Sequence, residues 1–197
     1  MSEDIQRWFE KEGERLLVEV GIQPGYHVLD FGCGKGAYAI PAAKVVGKTG
    51  AVYALEKNRY ALAELVREAS SRGLTNVVPI HSIDELKSTL GDSGLNAVLL
   101  FDVIHGYYFT PEQRKNVLGS VAAMVIRDGI VSIFPRHMSS QEIDGIKNQL
   151  RILGFMLETQ MEGELLHDGH FASGCIYNFR KRIIPHNPDI SQPALDE

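Results

Sequence analysis

Residues 28–36 read VLDFGCGKG, an apolar strand that runs without a spacer into a turn carrying three glycines. Such a turn reverses the chain sharply at the end of a strand, and glycine is the residue that adopts the required positive φ at least cost. The run that follows, AYAIPAAKVVG (37–47), is helical in pattern, so the unit is strand, tight turn, helix. The rest of the chain repeats that alternation. YHVLDF (26–31), AVYALE (51–56), NVVPIH (76–81), NAVLLF (96–101) and GIVSIF (129–134) are five strand-like runs separated by helical ones. Alternation of this kind predicts an α/β fold, with right-handed crossovers covering both faces of a mainly parallel, doubly wound sheet.

The helices carry their own signals. Ile5, Trp8, Phe9, Leu16, Leu17 and Val20 share one face of an N-terminal helix within residues 1–20, closed by Gly21. Pro41 lacks an N–H and belongs in a first turn, which predicts that the helix after the glycines starts near Gly36 or Ala37. Asn58 caps a helix with a Leu62, Leu65, Val66, Ala69 stripe that ends at Gly73. IDELKSTL (83–90) is a short helix, and Thr110-Pro111-Glu112-Gln113 opens a long one with a capping box and proline at its first position. A further helix places Ile143, Ile146, Leu150 and Leu153 on one face and stops at Gly154. Beyond it, FMLETQMEGELL and FASGCIYNFRKR flank HDGH, and Asp168-Gly169 signals a hairpin. Length and pattern predict one domain over residues 1–182 and a flexible tail over 183–197.

Composition narrows the partners. The 20 basic and 25 acidic residues give a formal charge of −5, which argues against a broad electrostatic footprint on nucleic acid. Cys33 and Cys175 are too few for a disulfide scaffold and form no C-x-x-C pair, which fits a reducing, cytoplasmic compartment. The N-terminus lacks the pattern of a secretory signal, and no apolar run is long enough to cross a bilayer. The expected partner is a small molecule, with neither membrane nor nucleic acid; a homodimer is compatible with the sequence.

In open α/β sheets ligands bind beyond the carboxyl ends of the strands. That rule places Asp30–Gly36, Glu56, His81–Asp84, Asp102–Tyr108 and Pro135–Met138 on one rim. If the sixth strand is parallel to the others, His167–His170 join them. Gly32, Gly34 and Ala37 satisfy the G-x-G-x-x-G/A dinucleotide fingerprint, and Glu56 stands where its ribose-binding acid is expected. A nicotinamide-dependent oxidoreductase is therefore one reading. Asp30 weighs against it, because a carboxylate two residues before the glycines opposes a pyrophosphate. It suits the ammonium and sulfonium of S-adenosylmethionine, whose ribose hydroxyls can donate to Glu56.

VLDFGCGKG, AVYALE, HSID (81–84) and NAVLLFDVIH (96–105) together resemble the motifs of class I S-adenosylmethionine-dependent methyltransferases of the small-molecule type, over roughly residues 20–180. The resemblance implies a Rossmann-like seven-stranded sheet of order 3-2-1-4-5-7-6 ending in an antiparallel hairpin. It implies S-adenosylmethionine as cofactor, S-adenosylhomocysteine as product, and a cofactor site of Asp30, Gly32, Cys33, Gly34, Gly36, Glu56, Lys57, Ser82, Ile83 and Asp102. Cys33 is read as a small turn residue, and Ser82 and Ile83 have a second reading as a plain helix start. Methyl transfer is an in-line displacement at an activated carbon, so a base is optional. His105 is the candidate base, with a structural histidine as the alternative, and Tyr107, Tyr108 and Phe109 are candidate walls of an acceptor pocket.

His105, His137, His167 and His170 raise the question of a metal. The methyltransferases that hold magnesium use acids after the fourth and fifth strands, and FPRH (134–137) has none, so the histidines are read as independent loop residues and no metal is expected. The absence of D-P-P-Y after the fourth strand argues against amino-group methylation of adenine or glutamine, and the cysteines of arsenite methyltransferases are missing. The basic run FRKRIIPH (179–186) reads as a solvated strand end. A non-catalytic cofactor-binding sensor, or a partner subunit of another methyltransferase, is the alternative from a different class.

Overall fold

The strand before the glycine turn, β1 (His27–Phe31), is buried from Val28 onward. A strand buried on both faces has to lie inside a sheet. It pairs in parallel with β2 (Ala51–Leu55) on one side and β4 (Leu95–Phe101) on the other. The structure, a computed structural model, describes residues 2–90 and 94–182. Beyond β2 lies β3 (Val77–Ile80), and beyond β4 lies β5 (Val125–Phe134), both parallel. β6 (Phe155–His167) and β7 (His170–Lys181) close the sheet as a hairpin, with β7 antiparallel to both β5 and β6. The resulting order is β3-β2-β1-β4-β5-β7-β6, as the resemblance implied. Because β6 and β5 are each antiparallel to β7, β6 runs parallel to β1–β5 and delivers His167 to the rim where those strands end.

Side-chain alternation divides the core. Val28, Val52, Leu99 and Ile130 face a layer made by the N-terminal helical segment, α3 (Ala39–Val46) and α4 (Arg59–Ser71). Leu29, Leu55, Leu100 and Val131 face α5 (Ile83–Leu90), α6 (Pro111–Met124) and α7 (Ser140–Ile152). The N-terminal segment is one helical run, α1 (Glu3–Arg7), a π-helical turn (Trp8–Glu12) and α2 (Gly13–Val20), which Gly21 ends at φ +104°. The capping boxes at Thr110 with Gln113 and at Ser139 with Glu142 are both formed. Asp168 and Gly169 adopt φ +49° and +82°, the signature of a tight hairpin turn.

Four expectations need correction. α3 begins at Ala39, not at Gly36 or Ala37, because Gly36 at φ +92° cannot enter a right-handed helix. Pro41 still falls in the first turn, and the Ala37 carbonyl it leaves without a partner accepts from Trp8 Nε1 at 2.6 Å. Val66 is exposed, so the α4 stripe is Leu62, Leu65 and Ala69. β5 starts at Val125, where a register shift opposite Leu95/Ala97 and Asp128 at φ +60° absorb the extra residues. The described end of the basic run is not simply solvated: Arg180 and Arg182 pair with Glu158 and Asp128, and Lys181 Nζ donates to the Ala122 and Val125 carbonyls. Residues 183–197, read as a flexible tail, lie outside the described residues. Among the described residues no helix is long and apolar enough to cross a membrane.

Candidate active site

The glycine turn is shaped by contacts on both sides. Gly32, Gly34 and Gly36 have φ of +75°, +53° and +92°. A Cβ on Gly32 would stand 2.4 Å from Val103 Cγ2, and one on Gly36 would stand 2.2 Å from Leu65 Cδ1. Both positions need glycine for packing as well as for φ. A Cβ on Gly34 meets nothing within 4 Å, so the middle of the turn faces open space. The Gly32 and Cys33 N–H groups both donate to the Leu55 carbonyl, at 2.8 and 3.1 Å, which ties the turn to the end of β2. Cys33 is buried, and burial together with the charges of Asp30 and Glu56 pushes its thiol far up, as suits an inert turn residue.

Asp30 is 2% exposed. Burial pushes its carboxyl up to about 7, against a hydrogen bond from the Ala39 N–H that pulls it down, with Glu56 adding a further upward push. Its Oδ2 has no hydrogen-bond partner. A buried, half-satisfied carboxylate is unfavourable by itself and is the local arrangement that a cation relieves. Glu56 accepts from the Gly34 N–H at 3.1 Å through Oε2 and from the Asn58 N–H at 2.8 Å through Oε1. It braces the turn against the start of α4, while each oxygen keeps a lone pair for a hydroxyl.

The other expected cofactor residues are placed less directly. Lys57 is exposed, with Nζ 5.7 Å from the Phe109 ring centroid, and Phe109 packs 6.2 Å from Phe31. Ser82 Oγ accepts from the Glu85 N–H at 3.1 Å and caps α5, whose first residue, Ile83, packs partly buried against the second core. The helix-start reading thus describes the contacts that these two residues make.

Asp102 marks the second half of the site. It follows β4 at φ +51°, an uncommon conformation for a residue with a side chain, and its N–H donates to the Phe134 carbonyl at 2.9 Å. Its carboxylate is ringed by histidines. His167 Nδ1 lies 2.8 Å from Oδ2, His137 Nε2 lies 3.7 Å from the same oxygen, and His105 Nε2 lies 3.9 Å from Oδ1. The histidines are therefore not independent loop residues, since three of them converge on one acid. His170 does not join; its Nδ1 lies 3.5 Å from Asp4 on α1.

His105 is buried, and that burial is the main cause pushing its pKa down, opposed by Asp102. Its Nδ1 accepts from the Tyr107 N–H at 3.3 Å, which leaves the proton on Nε2, pointing at Asp102. The imidazole that accepts from the backbone has no free lone pair for an acceptor proton. Tyr107 and Tyr108 are exposed and stand around it, with ring centroids 5.4 and 4.7 Å away. Tyr38 was not among the residues singled out. It is buried, its hydroxyl donates to the Leu166 carbonyl at 3.0 Å, and burial with the charges of Asp30 and Asp102 holds its pKa far up. It lies within electrostatic reach of both acids, a position that no local pattern signals.

Residues 22–153 match the family described as a methyltransferase domain, more than half of the chain. The chain belongs to the methyltransferase-domain family. The orphaned Asp30 Oδ2, the open space over Gly34 and the spare lone pairs of Glu56 fit S-adenosylmethionine, the cofactor that the motif resemblance implies. Aklanonic acid methyltransferase from Streptomyces sp. (strain C5) is 39% identical over 70 residues, 36% of this chain and 32% of that protein. The rRNA 2'-O-methyltransferase fibrillarin of Neurospora crassa is 26% identical over 179 residues, 85% of this chain and 52% of that protein. The domain spans at most about half the length of these curated relatives. Among solved structures, a SAM-dependent methyltransferase from Aquifex aeolicus superposes with a TM-score of 0.64 at 22% identity, covering 89% of this chain and 92% of that one.

Proposed function

We propose that this methyltransferase domain transfers a methyl group from S-adenosylmethionine to a small-molecule acceptor held on the rim between the ends of β4, β5 and β6. The observation that carries the reading is the buried carboxylate of Asp30, unpartnered at Oδ2 beside the glycine turn. When bound, S-adenosylmethionine supplies a methyl carbon already activated by a sulfonium, so the protein's task is to bind, orient and exclude water. Asp30 takes the ammonium end, Glu56 the ribose hydroxyls, and Gly34 keeps the space above the turn clear. Cys33 lends its backbone, Ser82 and Ile83 flank the adenine, and Lys57 with Phe109 stands at the mouth. Tyr107 and Tyr108 wall the acceptor space, and His105 orients the Asp102 carboxylate in place of acting as a free base.

A small acceptor is favoured over nucleic acid because the densest described cations, Arg180 and Arg182, are spent on Glu158 and Asp128. Calorimetric titration with S-adenosylmethionine and with NAD tests the cofactor. Saturable binding of the first alone is expected; binding of NAD alone would overturn the reading. Screening candidate acceptors by release of S-adenosylhomocysteine then tests turnover. Binding with no turnover on any acceptor, RNA included, would favour the non-catalytic sensor or partner subunit.

A further inference from the structure

We propose that Asp102, His137 and His167 form a binding site for a divalent transition-metal ion. The three residues lie at or just past the ends of different strands, β4, β5 and β6, and meet because those strands finish at the same edge of the sheet. One ligand atom from each lies within 4.8 Å of the other two. Ligands held 2.0–2.2 Å from one ion stand roughly 3–3.5 Å apart. The two Asp102–histidine distances, 2.8 and 3.7 Å, bracket that spacing, so His167 has to open slightly and His137 to close. The His137 side chain is 41% exposed and has room to move.

The donor set selects the ion. Two imidazole nitrogens and one carboxylate oxygen suit zinc, cobalt, iron or nickel, whereas magnesium and calcium prefer oxygen alone. The cluster is also a poor arrangement for ion pairing by itself. Asp102 Oδ1 is buried without a hydrogen-bond partner, 3.9 Å from His105 Nε2. His105, anchored at its other nitrogen by the Tyr107 N–H, stands behind the carboxylate, where a small closure would let its Nε2 donate to Oδ1 as outer partners do in metal sites.

Three protein ligands leave the ion open on one side. A cavity of about 390 Å³ opens beside His137, lined by Pro135, Arg136, Ser173, Cys175 and Tyr177. A ligand that reaches the ion through a hydroxyl or carbonyl oxygen has room there, and the identification of that ligand with the methyl acceptor rests on the methyl-transfer reading.

The test titrates untagged, chelator-treated protein with Co²⁺, followed by its visible absorption, and with Zn²⁺ by calorimetry, both without cofactor. Saturable binding at a single site is expected. His137→Ala and His167→Ala should each weaken it by at least about tenfold. His170→Ala should leave it unchanged, and all three variants should keep their melting temperature and their S-adenosylmethionine affinity. Failure of both ions to saturate would overturn the site, as would binding that survives both His137→Ala and His167→Ala. Because no cofactor is present, loss of S-adenosylmethionine binding with Co²⁺ binding intact would remove the methyl-transfer reading and leave the metal site standing.

Discussion

The two halves of the rim are built on different length scales. The cofactor half uses a single strand–turn–helix unit and the end of the next strand, from Asp30 to Glu56. The other half gathers Asp102, His137 and His167 from the ends of three strands, with two helices and two further strands of chain between them. In the first half one buried carboxylate waits for a cation with its backbone frame rigidly packed; in the second, partly exposed side chains surround a carboxylate and can rearrange. Rigid, local construction suits a ligand common to a whole family. Loose, long-range construction suits one that differs between relatives.

If that contrast holds, changes in the first half should act on folding and cofactor binding, and changes in the second on acceptor chemistry. The largest effect is expected from Gly36→Ala, which combines φ +92° with a Cβ 2.2 Å from Leu65 Cδ1. Overpacking and left-handed strain together predict a loss of roughly 2–5 kcal/mol in chemical unfolding. Wild-type stability in that variant would show that the turn is not rigidly framed.

Asp30→Asn should weaken S-adenosylmethionine binding by about 10- to 100-fold, the worth of a charged hydrogen bond, as read by calorimetry. The pH dependence sharpens this. With its pKa raised to about 7 in the folded protein, Asp30 contributes stability that is full below the ordinary carboxylate range and lost as pH rises through about 7. Ligand-free wild type should therefore lose stability across that interval, and Asp30→Asn should lose less. Affinity for a cationic cofactor should move the other way, rising with pH towards 7 in wild type and staying flatter in the variant.

His105→Ala should lower turnover while changing S-adenosylmethionine affinity by less than about threefold. An equal loss in both would erase the distinction between the two halves. Thr110→Ala is expected to have the smallest effect. It removes the Oγ1 that accepts from the Gln113 N–H at 3.3 Å, a cap worth about 1 kcal/mol, and thermal unfolding should register it with cofactor binding untouched.

Most of the fold was legible because its signals are short. Thr110 with Gln113, Asn58, Gly21 and Asp168-Gly169 act within one turn of chain, and each does what its residue type predicts. The misses share a cause. The start of α3 was misplaced because a tertiary contact, Trp8 Nε1 on the Ala37 carbonyl, allows the glycine turn to continue to Tyr38 before the helix begins. Val66 lies at the edge of a stripe whose width depends on how α4 sits against the sheet. In the site, Asp30 and Glu56 could be picked out by their distance from the glycines. His137 and His167 were placed on the rim by strand ends alone, yet their convergence on Asp102 depends on the order and register of β5, β7 and β6.

VLDFGCGKG, the alternating strands and the caps determined the α/β architecture and pointed to the cofactor, because backbone φ preferences and hydrophobic periods act between near neighbours. Whether Asp30 is half satisfied, whether His105 has a lone pair to offer, and which histidines surround Asp102 were decided by the tertiary structure. Burial sets the protonation of a carboxylate, and only the assembled sheet brings side chains from distant strand ends within a few ångströms of one another.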